Sequence, residues 1–135
     1  MVRRFITTAL VGLSLLACSE RSHLPALLQD PGEGVGNMWA LCDTSLKQTP
    51  DEAAHHVGIV ASLRAHFPPG SNSVRLEREL MAEGFHLKTC ETDPTIRIAT
   101  FRWRENWGGQ GLITYKSDDA NRIVWTTGTV SYGGP

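Results

Sequence analysis

Thr95 to Arg104 reads TIRIATFRWR, Leu112 to Ser117 reads LITYKS and Arg122 to Tyr132 reads RIVWTTGTVSY. Through these stretches the hydrophobic period is two, which is the pattern of half-buried strands. Phe85 to Cys90 (FHLKTC) reads as a further strand ahead of them. Trp107-Gly108-Gly109-Gln110-Gly111 reads as a hairpin loop. Asp118-Asp119-Ala120-Asn121 reads as a compact turn whose side-chain acceptors can bond the backbone. Strands joined by connections this short run antiparallel, so the C-terminal half predicts a three- to four-stranded meander.

Ahead of the strands the period is helical. A helix is expected from about residue 50 to 66. Thr49-Pro50-Asp51-Glu52 forms a capping box, with Thr49 as N-cap, Pro50 at N1 and Glu52 at N3. Its apolar stripe is Ala53, Val57, Val60, Ala61 and Phe67. Pro68-Pro69-Gly70 stops it. A second helix is expected over 73–83, capped by Ser71 or Ser73, with Leu76, Leu80 and Met81 toward the core. Gly84 takes the C′ position and Phe85 the following hydrophobic contact. Glu77, Arg78, Glu79 and Glu83 read as a solvated face. A short helix is also expected over 38–47, with Trp39, Cys42 and Leu46 on one side. Helices followed by a run of strands give an α+β fold, two helices packed on one face of the sheet.

Residues 1–20 read MVRRFITTALVGLSLLACSE. Arg3 and Arg4 precede an apolar core from Phe5 to Leu16, too short to anchor as a spanning helix and of the right length for a signal segment. It ends in Leu15-Leu16-Ala17-Cys18, which closely resembles the lipobox of bacterial lipoproteins. That resemblance implies cleavage before Cys18 and lipidation of its thiol and amine, and two or more acyl chains anchor stably where one is marginal. Ser19, in place of the aspartate that retains many lipoproteins in the inner membrane, implies an outer-membrane, periplasm-facing address. The expected organisation is a signal peptide over 1–17, a flexible tether over 18–37 rich in Ser, Pro and Gly, and a single α+β domain over 38–135. Leu24, Leu27 and Leu28 interrupt the tether and are expected to form a brief turn that docks on the domain.

The chain carries 3 cysteines. With Cys18 given to lipid, Cys42 and Cys90 remain, and an even remainder outside the cytoplasm predicts one disulfide. The alternative is two separate buried thiols. A bridge closing such a loop is worth roughly 3–4 kcal/mol in the chain-entropy model.

Composition and motifs exclude more than they assign. The formal charge is −1, from 13 Lys and Arg against 14 Asp and Glu. Removing Arg3 and Arg4 with the leader leaves 11 against 14, or −3. Neither is the basic excess of a nucleic-acid binder. The five histidines are His23, His55, His56, His66 and His86. No HExxH or CxxC occurs, and His55 and His56, adjacent on a helix, would point about 100° apart. They are expected as helix-surface residues, with no metal site. No GxSxG and no Lys-Ser/Thr phosphate loop is present. No catalytic residue, cofactor or small-molecule substrate is expected.

The aromatic residues leave two readings. Phe101 and Trp103 lie on one strand face, Arg102 and Arg104 on the other. In the first reading Phe101, Trp103 and Trp125 cover the core side of the sheet. In the second, Trp107, beside the Gly-rich turn, joins Arg102, Arg104 and Tyr115 in a partner-binding patch, because Trp, Tyr and Arg dominate interface hot spots.

A helix ending in Gly84-Phe85, the FRWR strand and the pattern Asp118-x-x-Asn121-Arg122-Ile123 together resemble the SmpA/OmlA (BamE-like) family of small outer-membrane lipoproteins. The resemblance is architectural and covers about residues 50–132. It implies two helices on a three-stranded sheet and a scaffold role in the envelope. The family's short GMT-type helix start is absent here, so no functional residue carries over. The function expected is that of a non-enzymatic, lipid-anchored protein that binds envelope protein partners. The alternative is a periplasmic immunity or inhibitor lipoprotein that neutralises a toxin or a cell-wall hydrolase.

Overall fold

The structure is a computed structural model that describes residues 24–35, 42, 55–105 and 107–133. The described residues form an α+β fold in the order α1 (Ala26–Gln29), β1 (Gly34–Val35), β2 (His55–His56), α2 (Val57–His66), α3 (Ser73–Ala82), β3 (His86–Thr89), β4 (Ile96–Trp103), β5 (Gly109–Ser117) and β6 (Ile123–Tyr132). β3 to β6 make a four-stranded antiparallel sheet in sequence order, and β1 pairs with β2 in a separate small ribbon. The lipobox, the 38–47 helix apart from Cys42, the capping box at 49–52, Ala53 and His23 lie outside the described residues.

The register divides the sheet into two faces. Arg97, Ala99, Phe101 and Trp103 of β4 lie opposite Tyr115, Ile113, Gly111 and Gly109 of β5. Those in turn lie opposite Thr126, Gly128, Val130 and Tyr132 of β6. Each helix places a side chain on this first face. A Cβ at Gly111 would strike Leu28 of α1, and one at Gly128 would strike Ile59 of α2. Glu77 of α3 accepts hydrogen bonds from Arg97 and Tyr115. The main core is Leu28, Ile59, Leu63, Phe67, Leu76, Leu80 and Phe85 packed on Ala99, Ile113, Tyr115, Ile123 and Val130. The second face carries Ile96, Ile98 and Leu112, buried with Cys90 and touched by Cys42 and Trp125. Trp125 is therefore across the sheet from Phe101 and Trp103, not beside them. Cys42 and Cys90 form the expected disulfide, with Cα atoms 5.6 Å apart.

α3 follows its local signals most closely. Gly84 sits at φ +95°. The Phe85 N–H bonds the Leu80 carbonyl and the Gly84 N–H bonds that of Met81. These two bonds are a Schellman motif, and buried Phe85 supplies its hydrophobic contact. At the other end the cap is Asn72, whose Oδ1 accepts from the Val74 and Arg75 N–H groups at 2.8 and 3.2 Å. Neither serine caps: the buried Ser73 hydroxyl donates to the Asn121 carbonyl, and Ser71 donates to Pro68. Met81, expected inside, is 53 % exposed. The inward stripe runs through Ser73, Leu76, Glu77 and Leu80, which places Glu77, expected in solvent, beneath the helix.

α2 begins at Val57, because His55 and His56 are extended and pair with Val35 and Gly34. Its N-cap residue, His56, makes no side-chain capping bond. Its first N–H groups donate to backbone carbonyls of the preceding arm, Val57 to Glu33 and Gly58 to Pro31. Its buried stripe is Ile59, Leu63 and Phe67, while Val57 and Ala61 face out. Residues 24–35, expected within a flexible tether, thus belong to the folded domain. Leu28 is in the core and the 31–33 backbone caps a helix, so the docking of Leu27 and Leu28 is stronger than a passing turn. Helix α2 stops at His66 ahead of Pro68-Pro69, as its sequence requires.

The loop expected over 107–111 is shorter. Gly109, Gln110 and Gly111 belong to β5. The glycines serve close approach: the Trp103 indole lies over Gly109 and Leu28 over Gly111. The Asp118 turn forms as expected. Asp118 Oδ1 accepts from the Ala120 and Arg122 N–H groups, both at 2.9 Å.

Candidate functional site

The residues singled out for partner binding divide among three places. Tyr115 is fully buried on the first face, 0 % exposed, and leaves the expected patch. Its hydroxyl donates to Glu77 Oε1 at 2.8 Å. Burial, with the Glu77 carboxylate beside it, pushes the phenol well above its ordinary range, so it remains a donor. Arg97 binds the same oxygen at 2.5 Å. Sequence reasoning misses this cluster because Glu77 sits among Arg78, Glu79 and Glu83. Its position four residues after Ser73, on the stripe with Leu76 and Leu80, is the available signal.

Arg102 is exposed on the second face, where its Nε donates to Gln110 Oε1 at 3.0 Å. Arg104 is exposed just past the end of β4. Trp107 is 72 % exposed in the β4–β5 loop. Its φ is +74° and that of Gly108 is +70°. The Gly108 N–H bonds the Glu105 carbonyl at 2.9 Å, so Trp107 is the third residue of a tight turn. That position, with positive φ, favours Gly or Asn. A tryptophan there is both strained and unshielded.

The strand ends give this turn an aromatic setting. Phe85, Phe101, Trp103 and Tyr132 form a row with ring centroids 5.5, 6.5 and 6.0 Å apart in succession. The row runs from the core outward. Phe85 is buried, Phe101 and Trp103 are half-buried, and Tyr132 is 64 % exposed. The Gly133 N–H bonds the Gly108 carbonyl, which fastens the end of β6 to the turn carrying Trp107. One end of the sheet therefore presents Trp107 and Tyr132 with Arg104 adjacent. Tyr132, not Tyr115, is the tyrosine exposed at this end of the sheet.

The histidines are distributed otherwise than expected. His55 and His56 are on β2 and half-buried. The Val130 N–H and the Thr129 hydroxyl reach His56 Nδ1 at 3.1 and 2.9 Å. An amide N–H can only donate, so Nδ1 is the unprotonated nitrogen. Burial, and the neighbouring His55, hold the His56 pKa below its ordinary value. His66 and His86 are exposed, and His66 Nδ1 meets the Ser62 carbonyl. Among the described residues no group of three or more His, Cys, Asp or Glu side chains is arranged to hold a metal ion. No described helix is long and apolar enough to cross a membrane.

No protein-family model matches the chain, and no curated protein or solved structure matches it.

Proposed function

We propose that this chain is a non-enzymatic, lipid-anchored envelope protein that binds a protein partner through the Trp107 end of its sheet, in a scaffold-type role at the outer membrane. One observation carries the binding part: Trp107 is 72 % exposed at φ +74°. Strained backbone at a large exposed aromatic does not serve stability, and such strain concentrates at sites of recognition. Trp, Tyr and Arg are also the residue types that dominate interface energetics, here as Trp107, Tyr132 and Arg104. The envelope address is supported by the leader alone, namely Arg3-Arg4, the apolar core and Ala17-Cys18. The same protruding turn suits an inhibitor that plugs an active site, so the partner's identity separates the two roles.

The test is to place a photo-crosslinking aromatic amino acid at position 107 in cells and identify the adduct. A resident outer-membrane component supports the scaffold role. A secreted toxin or cell-wall hydrolase makes the protein an inhibitor. No adduct from position 107 overturns the proposed surface. Cys18→Ala should release the protein from membranes, and retention of the variant would refute the anchor.

A further inference from the structure

The two edges of the sheet are treated differently. At the β6 edge the Val130 N–H donates to His56 Nδ1, and β2 and α2 lie against the strand. At the other edge is β3, four residues long. Cys90 N–H bonds the Ile96 carbonyl at 3.0 Å, which fixes the alternation along the β3–β4 ladder. Cys90, Lys88 and His86 exchange bonds with β4, so the N–H and C=O groups of Leu87 and Thr89 point away from the sheet. Among the described residues nothing pairs with them.

We propose that this edge, which no described residue pairs with, takes an extended, carboxylate-bearing segment of a partner protein as a fifth strand. Charge complementarity beside the outward backbone groups of Leu87 and Thr89 supports this occupant. Lys88 and His86 of β3 share the second face with Arg102, two residues along β4 from Thr100, the cross-strand partner of His86. Neither Lys88 nor His86 makes an ion pair among the described residues, and Arg102 is bound there only to the neutral Gln110 amide. A groove of about 430 Å³ runs along this edge, lined by these three together with Leu87, Thr100 and Phe101. Strand addition supplies affinity through main-chain bonds and specificity through alternate side chains. An acidic residue at every second position would meet Lys88, His86 and Arg102, and the intervening apolar residues would fall on the side of Leu87 and Phe101. A second copy of this chain fits poorly, because antiparallel pairing of β3 with β3 through Leu87 and Thr89 sets Lys88 against Lys88. The groove ends at Arg102, two residues before Arg104, and strand addition along β3 uses neither Trp107 nor Tyr132.

The probe is a blocked eight-residue peptide alternating Glu and Val, with an alternating Lys and Val peptide as its control, titrated into the full chain. Binding is read by fluorescence anisotropy and by hydrogen exchange of the Leu87 and Thr89 amides. The acidic peptide should bind and slow exchange at both amides at least tenfold, and the basic one should not bind. Lys88→Glu, an exposed change, should weaken binding about tenfold. Thr89→Pro, which removes an N–H the ladder does not use, should abolish it, whereas Trp107→Ala should leave it unaltered. Equal binding of the two peptides, unprotected Leu87 and Thr89 amides, or dimerisation through β3 would each overturn the proposal.

Discussion

Two single residues carry more information than their neighbours. His56 stands above Gly34, where a Cβ would meet its ring, and takes the outward N–H of an edge strand. Protonating Nδ1 would set one N–H against another. Its folded pKa lies below the unfolded value, so between the two the unfolded state binds more protons and stability rises with pH. The contribution is full above pH ~6.5 and is lost as pH falls through that value toward the folded pKa. The melting temperature should therefore drop between pH 7 and 5, and His56→Asn, which keeps an acceptor that does not titrate, should flatten that part of the profile. Trp107 is the second such residue. Trp107→Gly relieves the positive φ and should leave the domain as stable or more so, within about 1 kcal/mol by chemical denaturation. Trp107→Ala keeps the strained φ and should also leave the fold intact. A large loss of stability in either variant would make Trp107 a structural residue and remove it from the binding surface.

At the scale of elements, legibility follows how local the decisive chemistry is. The end of α3 at Gly84-Phe85, the end of α2 before Pro68-Pro69 and the Asp118 turn depend on bonds within a few residues, and all three can be read along the chain. The start of α2 cannot. Its N–H groups go to carbonyls of Pro31 and Glu33, more than twenty residues earlier, and a backbone carbonyl leaves no trace in side-chain identity. Gly109 and Gly111 mislead for a related reason: glycine marks a turn locally, but here each admits a bulky side chain from elsewhere in the fold. Tyr115 is easily misplaced because it and Arg102 both lie on strands, and which face of each strand is covered depends on the cross-strand register. Gly128 offers a test of the same packing. Its φ is unremarkable, but an added methyl would strike Ile59 and Ile113. Gly128→Ala should then destabilise by about 1–3 kcal/mol in urea unfolding, the range for overpacking a core. A neutral result would mean that α2 can lift off β6.

Over the whole molecule, the sheet is held from both faces by different means. The first face is covered by three helical segments that share one apolar core. On the second face Cys42 and Cys90 close a loop of 48 residues against Ile96, Ile98 and Leu112. In the chain-entropy model a loop of that length is worth about 4 kcal/mol, a large share of what a domain of this size commands. Cys42→Ser with Cys90→Ser should lower unfolding stability by about 3–4 kcal/mol, and dithiothreitol should do the same to the parent chain. If reduction leaves the denaturation midpoint unmoved, the second face is held by its apolar cluster alone.

Leu28, seated on Gly111, also determines how far the domain can stray. With the lipid proposed at Cys18, five residues separate the anchor from Leu24, whose carbonyl accepts from the Gln29 side chain. Their contour is at most about 20 Å, against about 65 Å for an arm running to Asn37. If the lipid is at Cys18, so short a leash would keep the domain within a few nanometres of the headgroups, sweeping only a small patch of bilayer. A partner captured under that proposal would itself be embedded in the membrane or pressed against it.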